Sequence, residues 1–187
     1  MDIVQKVKKY VREECKKPTS KYGYEAYSYH FVSMVKYAEK LADKMGGDKE
    51  VILVAAWLHD IGSTICGRDN HHVTGAKIAE KKLRELKYPE KKIELIKKCI
   101  LNHRGSVGNN RDTIEEKIIS EADTMSAFDN ISGLFKAAFV YEDKDQGEAR
   151  DSVKQKLERK WKRLHFDSSK KIIEPKYKAA MILLDRR

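Results

Sequence analysis

The chain has 187 residues, 41% hydrophobic and 36% charged, with only three prolines and ten glycines, a profile that excludes collagen-like and low-complexity classes. A chain of this length can bury well over half of its unfolded surface, so one compact domain is expected, with a core that needs neither metal nor disulfide staples. Thirty-nine Lys and Arg against 29 Asp and Glu give a net charge of +10, which invites a polyanionic partner. The basic excess is spread over the chain, however, and stretches such as EKKLRELKYPEKKIELIKK alternate sign as solvated helix faces do. Aromatic and recognition motifs for nucleic acid are absent, so a dedicated nucleic-acid site is not expected.

Cys15, Cys66 and Cys99 are odd in number and lack a CxxC pair, which argues against a disulfide framework and a thiolate zinc site. The longest apolar run, Val51 to Leu58, falls far short of the roughly 20 residues that span a bilayer. The N-terminal MDIVQKVKKYVREECKK mixes acids with bases and has no signal-peptide core. A cytoplasmic protein without a membrane partner is therefore expected; the oligomeric state is left open.

Hydrophobic spacing is helical nearly everywhere, which predicts an all-α protein. A first helix is expected from about Asp2 to Lys16, with Val4, Val7, Val11 and Cys15 on one stripe, ended by Pro18. A second should span Tyr24 to Met45, turning Tyr27, Phe31, Met34, Ala38, Leu41 and Met45 inward, and stop at Gly46-Gly47. Asp48 caps a third, whose body EVILVAAWLHD is apolar almost all round and ends at Gly62. Two more follow, about His72 to Leu86 and Pro89 to Asn102, before the loop GSVGNNRD. Thr113 and Glu116 then form a capping-box pattern that opens a long helical stretch to Glu142. Beyond the polar connection YEDKDQGEARDS, Val153, Leu157, Trp161 and Leu164 recur at helical spacing, and YKAAMILL is a last apolar segment. A bundle core over about 24–140, with C-terminal helices over about 147–187 packing on it, is the expected organisation.

Buried polar groups then pose a question. His30 faces the same side as Phe31 and Met34, and His59 ends the most apolar helix, followed at once by Asp60. Asp123 lies among Ile118, Ile119, Ala122, Ala127 and Phe128. A carboxylate in such surroundings is costly unless paired or bound to a cation. Two imidazoles and two carboxylates converging on one divalent ion would answer all four, with open positions for water and substrate. Inert core histidines, each held by a hydrogen bond, are the plainer alternative.

The order His30, then His59-Asp60 in LVAAWLHDIG, then Asp123 in ISEADTMSA resembles the HD-domain superfamily of metal-dependent phosphohydrolases over about residues 24 to 140. The resemblance implies a helical bundle holding Mn, Fe, Co, Ni, Zn or Mg through those four residues, with Asp60 as a catalytic group. In HHVTGAKIAE, His71 resembles a ligand of two-metal members, and His103 in CILNHRG resembles their next one. Asp60 would then bridge two ions; around a single ion the same histidines would contact phosphate. The His71/His72 doublet leaves the register open. Arg104, Arg68 and Lys77 are candidates for holding substrate phosphates, with solvated surface bases as the alternative. Cys66 is expected to be a small apolar filler, and Glu121 to point away from the site. Ser63 stands where some nucleotidases of the superfamily carry an acid, so that subgroup's general acid is not carried over. The implied activity is hydrolysis of phosphate esters or anhydrides, with a nucleotide as the expected substrate. A nucleotide- or metal-sensing module without turnover, and a basic nucleic-acid-associated protein, are the alternatives.

Overall fold

A computed structural model describes residues 1–104 and 110–185. It is all-α, with no strand among the described residues, as the helical spacing requires. The chain divides into two compact units, 1–122 and 123–187, and the expected core of about 24–140 straddles that division. Residues 105–109 of the predicted loop GSVGNNRD lie outside the described residues.

In the first unit, α1 (Ile3–Lys16) is capped by Asp2, whose carboxylate accepts the Gln5 N–H, and it buries Val7, Val11 and Cys15. A short helix, α2 (Gly23–Glu25), runs through a π-helical turn (Ala26–Phe31) into α3 (Val32–Met45). This stretch was expected as one regular helix; the wider π turn carries His30. Tyr27, Phe31, Met34, Ala38 and Leu41 are buried as their spacing predicts, whereas Met45, in the last turn before Gly46, is exposed.

Asp48 caps α4 (Lys49–Leu58), accepting the Val51 N–H at 3.1 Å. The apolar body is buried through Leu58. The expectation that this helix ends at Gly62 is corrected: it breaks at His59-Asp60, where the Asp60 backbone leaves helical geometry, and a new helix, α5 (Ile61–Cys66), passes through Gly62. The break lets consecutive residues present their side chains to one point. The structure also corrects Cys66, which is exposed rather than a filler. Next come α6 (His71–Glu85) and α7 (Glu90–Asn102), with Pro89 as the cap residue of α7.

Helices α5 and α6 cross at a pair of glycines. A Cβ on Gly62 would stand 2.2 Å from the His71 carbonyl oxygen and 2.6 Å from the Gly75 nitrogen. No side chain fits there, so Gly62 sets how near α6, and with it His71, comes to Asp60.

The long stretch from Thr113 is interrupted. Helix α8 (Ile114–Ser126) ends, and after four residues α9 (Ile131–Lys136) begins and continues into a π turn (Ala137–Tyr141). Two local bonds account for the break: Ser126 Oγ donates to the Asp123 carbonyl at 2.8 Å, and Asn130 Oδ1 accepts the Gly133 N–H at 3.1 Å as a new cap.

In the second unit, α10 (Gln146–Lys162) starts with a reciprocal capping box between Asp145 and Glu148. It packs on α11 (Asp167–Leu184), with Trp161 and Tyr177 stacked at 4.7 Å. YKAAMILL is thus the end of a longer helix, which contains Pro175. Glu142 accepts hydrogen bonds from Lys144 and Lys156, which hold its carboxyl down at about 2.

These contacts can be tested by substitution. Gly62→Ala should destabilise the chain by about 2 kcal/mol or more, as overpacking does, read as a lower urea midpoint. A folded-state pKa below the unfolded value stabilises above the unfolded pKa, and that contribution is lost as pH falls through the folded one. Wild type should therefore exceed Glu142→Gln by on the order of 1 kcal/mol above pH 5. The gap should close as pH falls toward 2; a gap independent of pH contradicts the pairing.

Candidate metal centre

Four imidazoles and one carboxylate converge in the first unit. Asp60 Oδ2 lies 3.2 Å from His30 Nε2 and 3.6 Å from His59 Nε2. Its other oxygen, Oδ1, lies 3.3 Å from His71 Nε2 and 3.7 Å from His103 Nε2. Each carboxylate oxygen thus faces its own histidine pair. The donor atoms form two triads, His30/His59/Asp60 and Asp60/His71/His103, within each of which they lie inside 4.8 Å of one another.

The backbone decides which nitrogen each ring offers. His59 Nδ1 donates to the Ala56 carbonyl at 2.9 Å, His71 Nδ1 to Arg68 at 2.8 Å and His103 Nδ1 to Ile100 at 2.6 Å. A carbonyl oxygen only accepts, so the hydrogen of each neutral ring is on Nδ1 and the lone pair on Nε2. His59 and His103 are the residues just past the ends of α4 and α7. Their rings thereby satisfy carbonyls that a helix end leaves without partners.

The consequence is sharpest for His71 and His103. Their Nε2 atoms are 3.3 Å apart, and both are acceptors, so no neutral form lets one donate to the other. A cation between them removes the conflict. His30 Nε2 lies 3.0 Å from the unprotonated Nε2 of His59. His59 and His103 are almost fully buried, while about a fifth of the His30 and Asp60 side chains is exposed, so access is from their side. Nitrogen-rich donors around one carboxylate fit a divalent ion of the Mn to Zn series.

Asp60 is ionised. Burial alone would raise its carboxyl; with the facing rings protonated, the charge of His59 and the hydrogen bonds of His103 and His30 hold it well below the usual carboxylate range, and with the rings neutral a bound cation would have to supply that positive charge. Ser63, one turn on, donates to Asp60 Oδ1 at 3.0 Å. The position that an acid occupies in some nucleotidases therefore orients the central carboxylate here, and its spacing of three from Asp60 was the available sequence signal.

Within the histidine doublet, His71 is turned to Asp60. His72 lies beside it, its ionisation lowered by burial and then by the charge of Arg104, so Arg104 borders the site. Arg68 lends its carbonyl to His71, while its side chain is exposed. Lys77 is exposed on α6, and six residues of helix turn it about 120° from His71. Glu121 is buried, which its spacing did not predict. Asp123 is the first residue of the second unit, where its carboxylate lies 3.4 Å from Lys160 Nζ.

The chain belongs to the HD-domain family, whose model, described as HD domain, matches residues 27–127. That span contains all four converging histidines, Asp60 and Asp123. Among curated proteins it is 27% identical over 139 residues to a tRNA (cytidine(56)-2'-O)-methyltransferase of Picrophilus torridus, covering 67% of this chain and 38% of that protein. It is also 33% identical over 85 residues to an uncharacterized protein of Clostridium beijerinckii, covering 43% of this chain and 54% of the other. The match thus spans about half or less of the curated relatives' own lengths.

Solved structures with the same fold include Bacillus subtilis YpgQ in complex with ADP, at a TM-score of 0.73 and 17% identity over 97% of this chain and 93% of the other. An HD-superfamily hydrolase from Bacillus thuringiensis matches with a TM-score of 0.74 and 19% identity over 97% and 92%. At these identities the likeness is one of fold.

A divalent ion that enters between the facing imidazoles should stabilise the folded chain. At one hundred times its dissociation constant the gain is about 2.7 kcal/mol, visible as a raised melting temperature with Mn, Co, Ni or Zn. No rise with any of these ions would contradict the assignment of the Nε2 atoms as acceptors.

Proposed function

We propose that the protein is a metal-dependent phosphohydrolase that cleaves an ester or anhydride bond of a small phosphorylated substrate, best described as a nucleotide. The observation that carries this reading is Asp60, ionised and shared between two imidazole pairs whose Nε2 atoms converge on its two oxygens. His30, His59 and Asp60 are the proposed ligands of a first ion, and Asp60, His71 and His103 those of a second. A divalent ion there lowers the pKa of bound water and offsets charge on phosphate oxygens. The two triads sharing one carboxylate favour two ions over one, and the nitrogen-rich donors favour Mn, Fe, Co, Ni or Zn over Mg.

This chain's own residues do the rest. Asp60 accepts a hydrogen bond from the attacking water and orients it, held in place by Ser63. Arg104, whose charge is felt at His72, supplies fixed positive charge for substrate phosphate, with Lys77 as a more distant candidate. A nucleotide substrate is supported by YpgQ, which shares the fold and was solved in complex with ADP. Three free cysteines fit a reducing, cytoplasmic setting.

A second reading has support of its own. The tRNA methyltransferase relative, together with the net charge of +10, favours a phosphate group presented on RNA. Binding to tRNA that weakens steeply with salt would support it.

The test is a phosphate- and pyrophosphate-release screen over nucleotides with added Mn, Co, Ni or Mg. Release should require the metal, and Asp60→Asn should lower turnover by about 100-fold, the upper range for changes around a metal. Equal turnover by Asp60→Asn would reject Asp60 as a catalytic residue. Metal uptake without release from any substrate would favour a sensing module.

A further inference from the structure

Helix α7 ends next to the site, and an arginine beyond the 105–109 segment reaches back to that end. Arg111 Nε donates to the Asn102 carbonyl at 2.9 Å, and a terminal nitrogen of the same guanidinium donates to the Arg104 carbonyl at 3.1 Å. Those carbonyls belong to the residues on either side of His103. One rigid, planar fork thus bonds the residue on each side of the one that carries the imidazole.

The Asn102 side chain is held as well. Its Nδ2 donates to Glu116 Oε1 at 2.6 Å, while Glu116 Oε2 accepts the Thr113 N–H and hydroxyl, both at 3.0 Å. Glu116 is buried, and burial, which alone would raise its carboxyl, is outweighed by these bonds, so the group stays ionised. The start of α8 is thereby fastened to the end of α7, and the positive charge of Arg111 sits where the α7 dipole is negative.

A simple cap would need one bond to the last carbonyls. Here two donors straddle His103, which is buried and whose Nδ1 is already committed to Ile100 at 2.6 Å. With backbone and ring both fixed, the direction of Nε2 toward His71 and Asp60 is fixed too. We propose that Arg111 is a positioning residue that aims His103 into the Asp60/His71/His103 triad and so sets the affinity of that triad for its ion. The affinity half rests on the metal reading of the site; the aiming half does not.

The test uses Arg111→Ala and Arg111→Lys in the full chain, with two readouts. The first needs no metal: exchange of the His103 Nδ1 proton, followed by NMR in metal-free protein. Arg111→Ala should expose this proton to exchange by about tenfold or more while that of His59 is unchanged, and Arg111→Lys, which keeps the charge but not the fork, should recover part of the protection. The second is Co(II) uptake by equilibrium dialysis. In a His30→Ala background, which leaves the Asp60/His71/His103 triad whole, Arg111→Ala should weaken binding about tenfold or more, within the range for groups that orient ligands.

Unchanged proton exchange in Arg111→Ala overturns the proposal, whatever the cobalt affinity. Equal loss of protection at His59 and His103 also overturns it, because that is general loosening. Loss of His103 protection in Arg111→Ala, together with no cobalt uptake by the wild-type protein, would support the aiming role and reject the metal reading instead.

Discussion

The arrangement of the first unit depends on three hydrogen bonds from imidazole Nδ1–H groups to backbone carbonyls three residues earlier. His59, His71 and His103 each make one, and each thereby turns an unprotonated Nε2 toward Asp60. The bonds are local, so the tautomers are set by helix ends and turns rather than by anything bound. A cluster of acceptors around an ionised carboxylate is stable only with positive charge among them. The same feature makes the site a poor core and a good cation cradle.

Backbone close approach decides whether that cradle exists. Asp60 stands at the break between α4 and α5, and Gly62 two residues later meets Gly75 and the His71 carbonyl. The two histidine pairs come to the carboxylate from different directions: one from the π turn and the end of α4, the other from the start of α6 and the end of α7. A regular helix through 48–62 would carry His59 and Asp60 on diverging faces. The break and the π turn are departures from regularity located at the ligands, where such features recur.

Much of this was legible beforehand because helical spacing is a long-range signal. The apolar stripe of α1, the caps at Asp48 and Thr113, and the inward set from Tyr27 to Leu41 follow from periodicity and side-chain chemistry. His30, His59, Asp60, His71 and His103 stood out as polar residues in apolar settings, and the HD-domain resemblance grouped them. The interruptions were not legible. In EVILVAAWLHDIG the break comes before the glycine, because His59 caps the helix with its own ring. In ADTMSAFDNISG the helix stops where Ser126 and Asn130 compete for backbone groups. Arg111 and the role of Ser63 were missed for a related reason: each acts through a single geometric relation, to two carbonyls or to a carboxylate oxygen, that composition does not encode.

The central claim is that a cation belongs between the paired Nε2 atoms. Crystals grown with Mn(II), measured for anomalous scattering, test it most directly. The account predicts a peak within ligand distance, about 2.0–2.3 Å, of Nε2 of both His71 and His103 and of Asp60, and another beside His30 and His59. Clear density for all four rings in the present orientation with no anomalous peak near Asp60 would contradict it, leaving the histidines as hydrogen-bonded core residues.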